Sequence, residues 1–139
     1  MDAAEFFRSV VRANYDEFTR NPGDLRSLWN AVVSANTAAE FVALHQLGYP
    51  ETSRAKLDAV AKSIRDKFTV LSDLKFCAET FKHVRKITDQ RSSGSFTTVA
   101  SSTGISPMDR TTWKIDPHDV VSVLELALAT LELFRVLEP

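Results

Sequence analysis

A chain of 139 residues fits a single domain and can bury a core without disulfides or metals. An apolar share of 44% and a charged share of 25%, with only four glycines and five prolines, mark ordinary globular composition that leans helical. The formal net charge of −1 supplies no global basic field for nucleic acid or an anionic membrane, and the lone Cys77 excludes an internal disulfide or a cysteine-based metal cluster.

Residues 2–20 predict the first helix. Phe6, Phe7, Val10, Val11, Asn14 and Phe18 follow helical spacing, and Asn21-Pro22-Gly23 ends the run. The N-terminal MDAAEFFRSVV carries acids early and lacks the basic-then-apolar order of a signal peptide, so a cytoplasmic, reducing setting is expected. Asp24 is a plausible N-cap for a second helix running to about Leu47. Its stripe includes Leu25, Leu28, Trp29, Val32, Asn36 and Val42. The small residues Ala31, Ser34, Ala35, Ala38 and Ala39 allow a neighbouring helix to approach closely. Gly48 and Pro50 read as its stop.

Thr52 or Ser53 starts a third helix with Leu57, Val60, Ala61, Ile64, Phe68 and Leu71 inside. The pattern continues through Leu74, Ala78 and Phe81 to residue 87, about 35 residues and roughly three times the usual helix length. A break between Lys67 and Asp73 is therefore expected, with one long straight helix as the alternative. Cys77 lies on the apolar stripe and reads as a small buried hydrophobe.

Residues 88–115 change character. Serine, threonine and glycine dominate from Ser92 to Gly104, the composition of a loop or linker. Phe96–Val99 and Thr111–Ile115 are rich in β-favouring residues, which predicts a hairpin with a long loop around Gly104, Pro107 and Asp109. Two strands alone are marginal, so Phe96, Val99, Trp113 and Ile115 must pack on helices or on a partner. Asp116-Pro117-His118-Asp119 reads as a helix start, with Asp116 as cap and His118 in a first turn whose dipole would keep it neutral. The helix that follows, to about Leu137, is apolar on nearly every side. It is expected to be the central helix of the bundle or to be covered by another subunit; Glu125, Glu132 and Arg135 argue against a membrane span. The predicted fold class is all-α: a single-domain bundle of four or five helices with a short β-hairpin before the last helix.

The candidate ligand-binding residues are Glu79, Lys82, His83, Arg85 and Lys86, the densest ionisable group in the chain. Glu79 and His83, four apart, can present two ligands to one ion. Only His45 and His118 remain as histidines, without metal-site spacing, so a stabilising helix pair is the reading and no metal or cofactor is implied. Lys82 to Arg91 is cationic; helix-dipole stabilisation accounts for part of that run, and a phosphate-binding patch is the sharper reading. There is no phosphate-binding or dinucleotide glycine motif, no zinc-binding HExxH and no calcium loop. Ser101 and Ser102 lack the strained-turn signature of a nucleophile, so no catalytic residue is assigned. Trp113 and Phe96 are the candidate interface residues, Trp113 with core packing as the competing reading.

The order of elements resembles uncharacterised bacterial helical proteins of the HEPN-like superfamily. That order is two helices, a helix ending in Lys82-His83, a hairpin, then Trp113 to Asp116 leading into a long helix. The resemblance implies a helical, often dimeric bundle acting on RNA or nucleotides in toxin–antitoxin or defence systems. The arginine–histidine pair of the ribonuclease members is absent: seven residues separate Arg110 from His118, and His83 has no arginine at the required upstream position. Two functions are therefore expected: a non-catalytic interaction module working through self-association or a protein partner, and, as the alternative, a HEPN-like nucleotide- or RNA-binding protein with hydrolytic activity. On the first, the protein should show no salt-dependent retention of RNA or nucleotides in a low-salt filter-binding assay. Retention that disappears in Lys82→Ala/His83→Ala would establish the alternative.

Overall fold

A computed structural model describes residues 2–47, 53–82, 96–100, 111–115 and 117–134, with 96–100 and 111–112 described by their backbone alone. The first helical rod joins α1 (Ala3–Phe6), a π-helical stretch (Phe7–Arg12) and α2 (Ala13–Arg20) without interruption. Asp2 caps it, its carboxylate accepting from the Glu5 amide at 2.7 Å. Ala3, Phe7 and Val11 face the core through this segment. A strict four-residue spacing drifts around an α-helix of about 3.6 residues per turn, and the wider π turn offsets that drift.

Helix α3 (Leu25–Leu47) follows the Asn21–Asp24 turn, where the Asp24 carboxylate accepts from the Arg26 amide and the Ser27 hydroxyl. It is the central element. The first rod, α4 (Arg54–Lys67), α5 (Thr69–Lys82) and α6 (Val120–Leu131) all pack against it. This corrects the expectation that the last helix is central. The small residues of α3 decide the matter: Ala31, Ser34, Ala35, Ala38, Ala39 and Ala43 are all buried and let helices close in on several sides. Asn14 of α2 donates to the Ser34 hydroxyl at 3.2 Å, a polar tie within that close contact.

Ser53 is the N-cap of α4, accepting from the Lys56 amide. The break expected between Lys67 and Asp73 falls at Phe68, whose φ of −118° and ψ of 89° leave the helical region. Phe68 then packs edge-on against Phe134, with ring centroids 5.5 Å apart. The bend lets α4 and α5 both pack on α3. Trp29, expected in the core, sits at its rim, 36% exposed and stacked on the buried Phe81. Gly48, Pro50, Thr52, residues 83–87 and the hairpin loop residues Gly104, Pro107 and Asp109 lie outside the described residues.

Strands β1 (Phe96–Ala100) and β2 (Thr111–Ile115) pair antiparallel, with Phe96 opposite Ile115 and Thr98 opposite Trp113. A two-residue strand, β3 (His118–Asp119), folds back onto Lys114 and Ile115. Trp113 and Ile115 are buried while Lys114 is exposed, the alternation expected of a strand laid on a core. The last helix consequently starts later than predicted. Asp119 is its cap, accepting from the amides of Val121 and Ser122, because residues 118–119 are engaged in the sheet. His118 therefore precedes the helix rather than lying in its first turn. Among the described residues, no helix is long and apolar enough to cross a membrane.

Cys77 is fully buried, and that burial, with Asp73 nearby, pushes its thiol from 9.0 up to about 12. An unfolded chain loses this proton near pH 9 and the folded chain retains it. The contribution to stability is thus complete below pH 9 and is lost as pH rises through the folded value. Denaturant titrations should show stability falling from pH 9 upward, with a shallower fall in Cys77→Ala. A thiol reagent at pH 8 should label the native protein only as fast as it opens.

Candidate functional site

The helical period brings a polar surface together on α4. Arg54, Asp58, Lys62 and Arg65 recur at steps of four, four and three along one face of the helix, with Asp66 at its margin. On α5, Ser72, Lys75 and Glu79 repeat at three- and four-residue steps. These two faces, with Glu40 of α3, line a cleft of about 480 Å³. The break at Phe68 makes it possible, because it separates α4 and α5 into two arms that both pack on α3.

Most charges at the mouth of the cleft are matched within the chain. Arg54 lies 3.1 Å from Asp58 and 3.8 Å from Glu40, and Lys62 lies 3.0 Å from Asp66. All five side chains are substantially exposed, so these pairs add little stability. Arg65 differs. It is 6% exposed, its Nη2 donates to the Asn36 side-chain oxygen at 3.0 Å, and its buried Nε has no hydrogen-bond partner. Among the described residues no carboxylate forms an ion pair with it. Burial pulls its pKa below the ordinary arginine value, opposed at longer range by Glu40, Glu79 and Asp58. Lys75, exposed on the α5 side, likewise has no ion pair among the described residues.

The structure thus separates the predicted ligand-binding residues. Glu79 lines the cleft and Lys82 ends α5 at the surface. His83, Arg85 and Lys86 lie outside the described residues. Arg65 and Asn36 are not among the predicted site residues, although the inner stripe of α3 carries a signal: Asn36 interrupts its small and apolar face, and a buried amide needs a partner. Of the predicted interface residues, Trp113 is 7% exposed in the chain's own core, and its indole N–H donates to the Pro22 carbonyl at 3.0 Å. Its surface is taken up within the chain, tying the hairpin to the turn before α3. The side chain of Phe96 lies outside the described residues. His118 stands 3.9 Å from Asp73 and against the Phe76 ring, and His45 is exposed at the end of α3. Among the described residues no three histidine, cysteine or acidic side chains are grouped to hold a metal ion.

A second surface lies on α6. Val120, Val123, Leu124, Ala127, Leu128 and Leu131 are buried, whereas Leu126 and Leu133 are 59% and 72% exposed. The turn after α6 continues its rotation, with the Leu133 amide donating to the Thr130 carbonyl, so Leu133 stands two turns beyond Leu126 on the same side.

No protein-family model matches the chain, and neither the curated proteins nor the solved structures provide a match.

The Asn36–Arg65 contact joins α3 to α4 inside the fold. Asn36→Leu should destabilise the protein by about 2–4 kcal/mol in urea titrations, because it leaves a buried guanidinium without its partner. Asn36→Leu combined with Arg65→Met should cost less than Asn36→Leu alone, since both polar groups are then gone.

Proposed function

We propose that this chain is a non-catalytic interaction module that acts by self-association through its last helix. One observation carries the reading: Leu126 of α6 and Leu133 in the turn that continues it stand exposed, whereas the other large apolar residues of α6 are buried or half-buried. Ser122, Leu126, Ala129 and Leu133 follow four-, three- and four-residue steps, the spacing of a two-helix seam, and all four are exposed. Ser122 and Ala129 are small, so a second helix can approach the backbone between the leucines. Glu125 and Glu132 flank the seam and are held to the first helical rod, Glu125 by the Tyr15 hydroxyl at 3.2 Å and Glu132 by Arg12. Their carboxylates are thereby turned toward the chain's own partners and away from an approaching copy.

A two-fold contact presents the same stripe from each copy, so four leucines leave water together. Burying each contributes about 1.5–3 kcal/mol, which sets a stabilisation of roughly the same order as the cost of association. The expected dimer is therefore concentration-dependent. Light scattering across a dilution series should give the mass of two chains at high concentration and one chain at low concentration. Leu126→Glu/Leu133→Glu should remain a single chain throughout, with unchanged helical circular dichroism. A wild type that stays a single chain at every concentration sinks the proposal.

A further inference from the structure

The cleft between α3, α4 and α5 holds a charged group that the fold leaves incompletely satisfied. Buried polar atoms are nearly always hydrogen-bonded, and each exception asks for a cause. Arg65 is such an exception: a residue only 6% exposed that still lines the cleft, held at Nη2 by a neutral amide, with a buried Nε lacking a partner. Its planar fork is suited to a carboxylate. Among the described residues none of the nearby acids takes that place: Glu40 and Asp58 pair with Arg54, Asp66 pairs with Lys62, and Glu79 acts on Arg65 only at longer range.

We propose that the cleft binds the carboxylate of a small zwitterion, of the free amino-acid class, on Arg65 and Lys75. The cavity, about 480 Å³, is large enough for such a molecule. The lining selects against more highly charged anions. Arg54, Lys62, Arg65 and Lys75 are balanced by Glu40, Asp58, Asp66 and Glu79, so the formal charge of the cleft is zero. A phosphate dianion would meet the same two cations but bring no ammonium to face the four carboxylates. A zwitterion places its carboxylate on the guanidinium and its ammonium toward those same acids. The site is separate from the α6 stripe and does not depend on self-association.

The test is a thermal-shift and calorimetric titration of the full chain with a panel of free amino acids at constant ionic strength. Acetate and inorganic phosphate serve as comparison probes. At least one amino acid should raise Tm saturably and bind more tightly than either comparison anion. Arg65→Lys, which keeps the charge and loses the fork, should weaken that binding by about tenfold. Lys75→Glu, at an exposed position that leaves the core untouched, should weaken it by about as much and keeps the test decisive should Arg65→Lys fail to fold. The proposal is overturned if no amino acid stabilises the wild type beyond the salt control, or if phosphate binds more tightly than every amino acid tested. It is equally overturned if Lys75→Glu binds as well as the wild type.

Discussion

The structure depends on one helix being surrounded. Helix α3 must bury most of its circumference, and it can do so only because its middle is built from alanine and serine. Side chains that small bring neighbouring backbones close, so that the first rod, α4, α5 and α6 all reach the same helix. Larger residues at Ala35 or Ala38, both with no exposed surface, would push those neighbours apart. That crowding also traps polar groups inside, among them Asn36 and Arg65.

Crowding also explains why Arg65 is buried. It lies beside Ile64 at the edge of the inner stripe of α4, and close approach to α3 carries the guanidinium under the surface and against Asn36. A guanidinium loses water there and regains one neutral acceptor, which is a poor exchange for stability alone. At the rim of the same cleft, Arg54, Lys62 and their acidic partners stay in water and are weakly coupled. The cleft therefore combines a screened rim with one desolvated cation, a contrast that charge counting along the sequence does not reveal.

The hairpin illustrates competition between local signals and long-range pairing. Asp116-Pro117 has the chemistry of a helix start, yet the helix begins at Val120 because His118 and Asp119 pair with β2 and Asp119 supplies the cap. Trp113 has the residue type of an interface contact, but its indole finds the Pro22 carbonyl across the fold and its ring packs in the core. In both cases a contact distant in sequence outweighs the local preference. The α6 stripe is the opposite case. A helix read as apolar all round turns out buried on one side, so among the described residues its exposed large apolar side chains are Leu126 and Leu133.

The amino-acid sequence by itself determined the all-α class, the stripes of the helices, the break near Phe68, the hairpin strands and the burial of Cys77. Each is written in residues close together along the chain: periodicity, caps and turn formers act over one or two turns. It also placed Glu79 in a zone of ionisable groups. Only the tertiary structure decided that α3 rather than α6 is central, that Asn36 and Arg65 meet from positions 29 residues apart, and that Glu79 shares a cleft with α4. Those outcomes depend on which helix faces meet and how closely. That is set by side-chain volume summed over the whole bundle, a quantity that no local pattern carries.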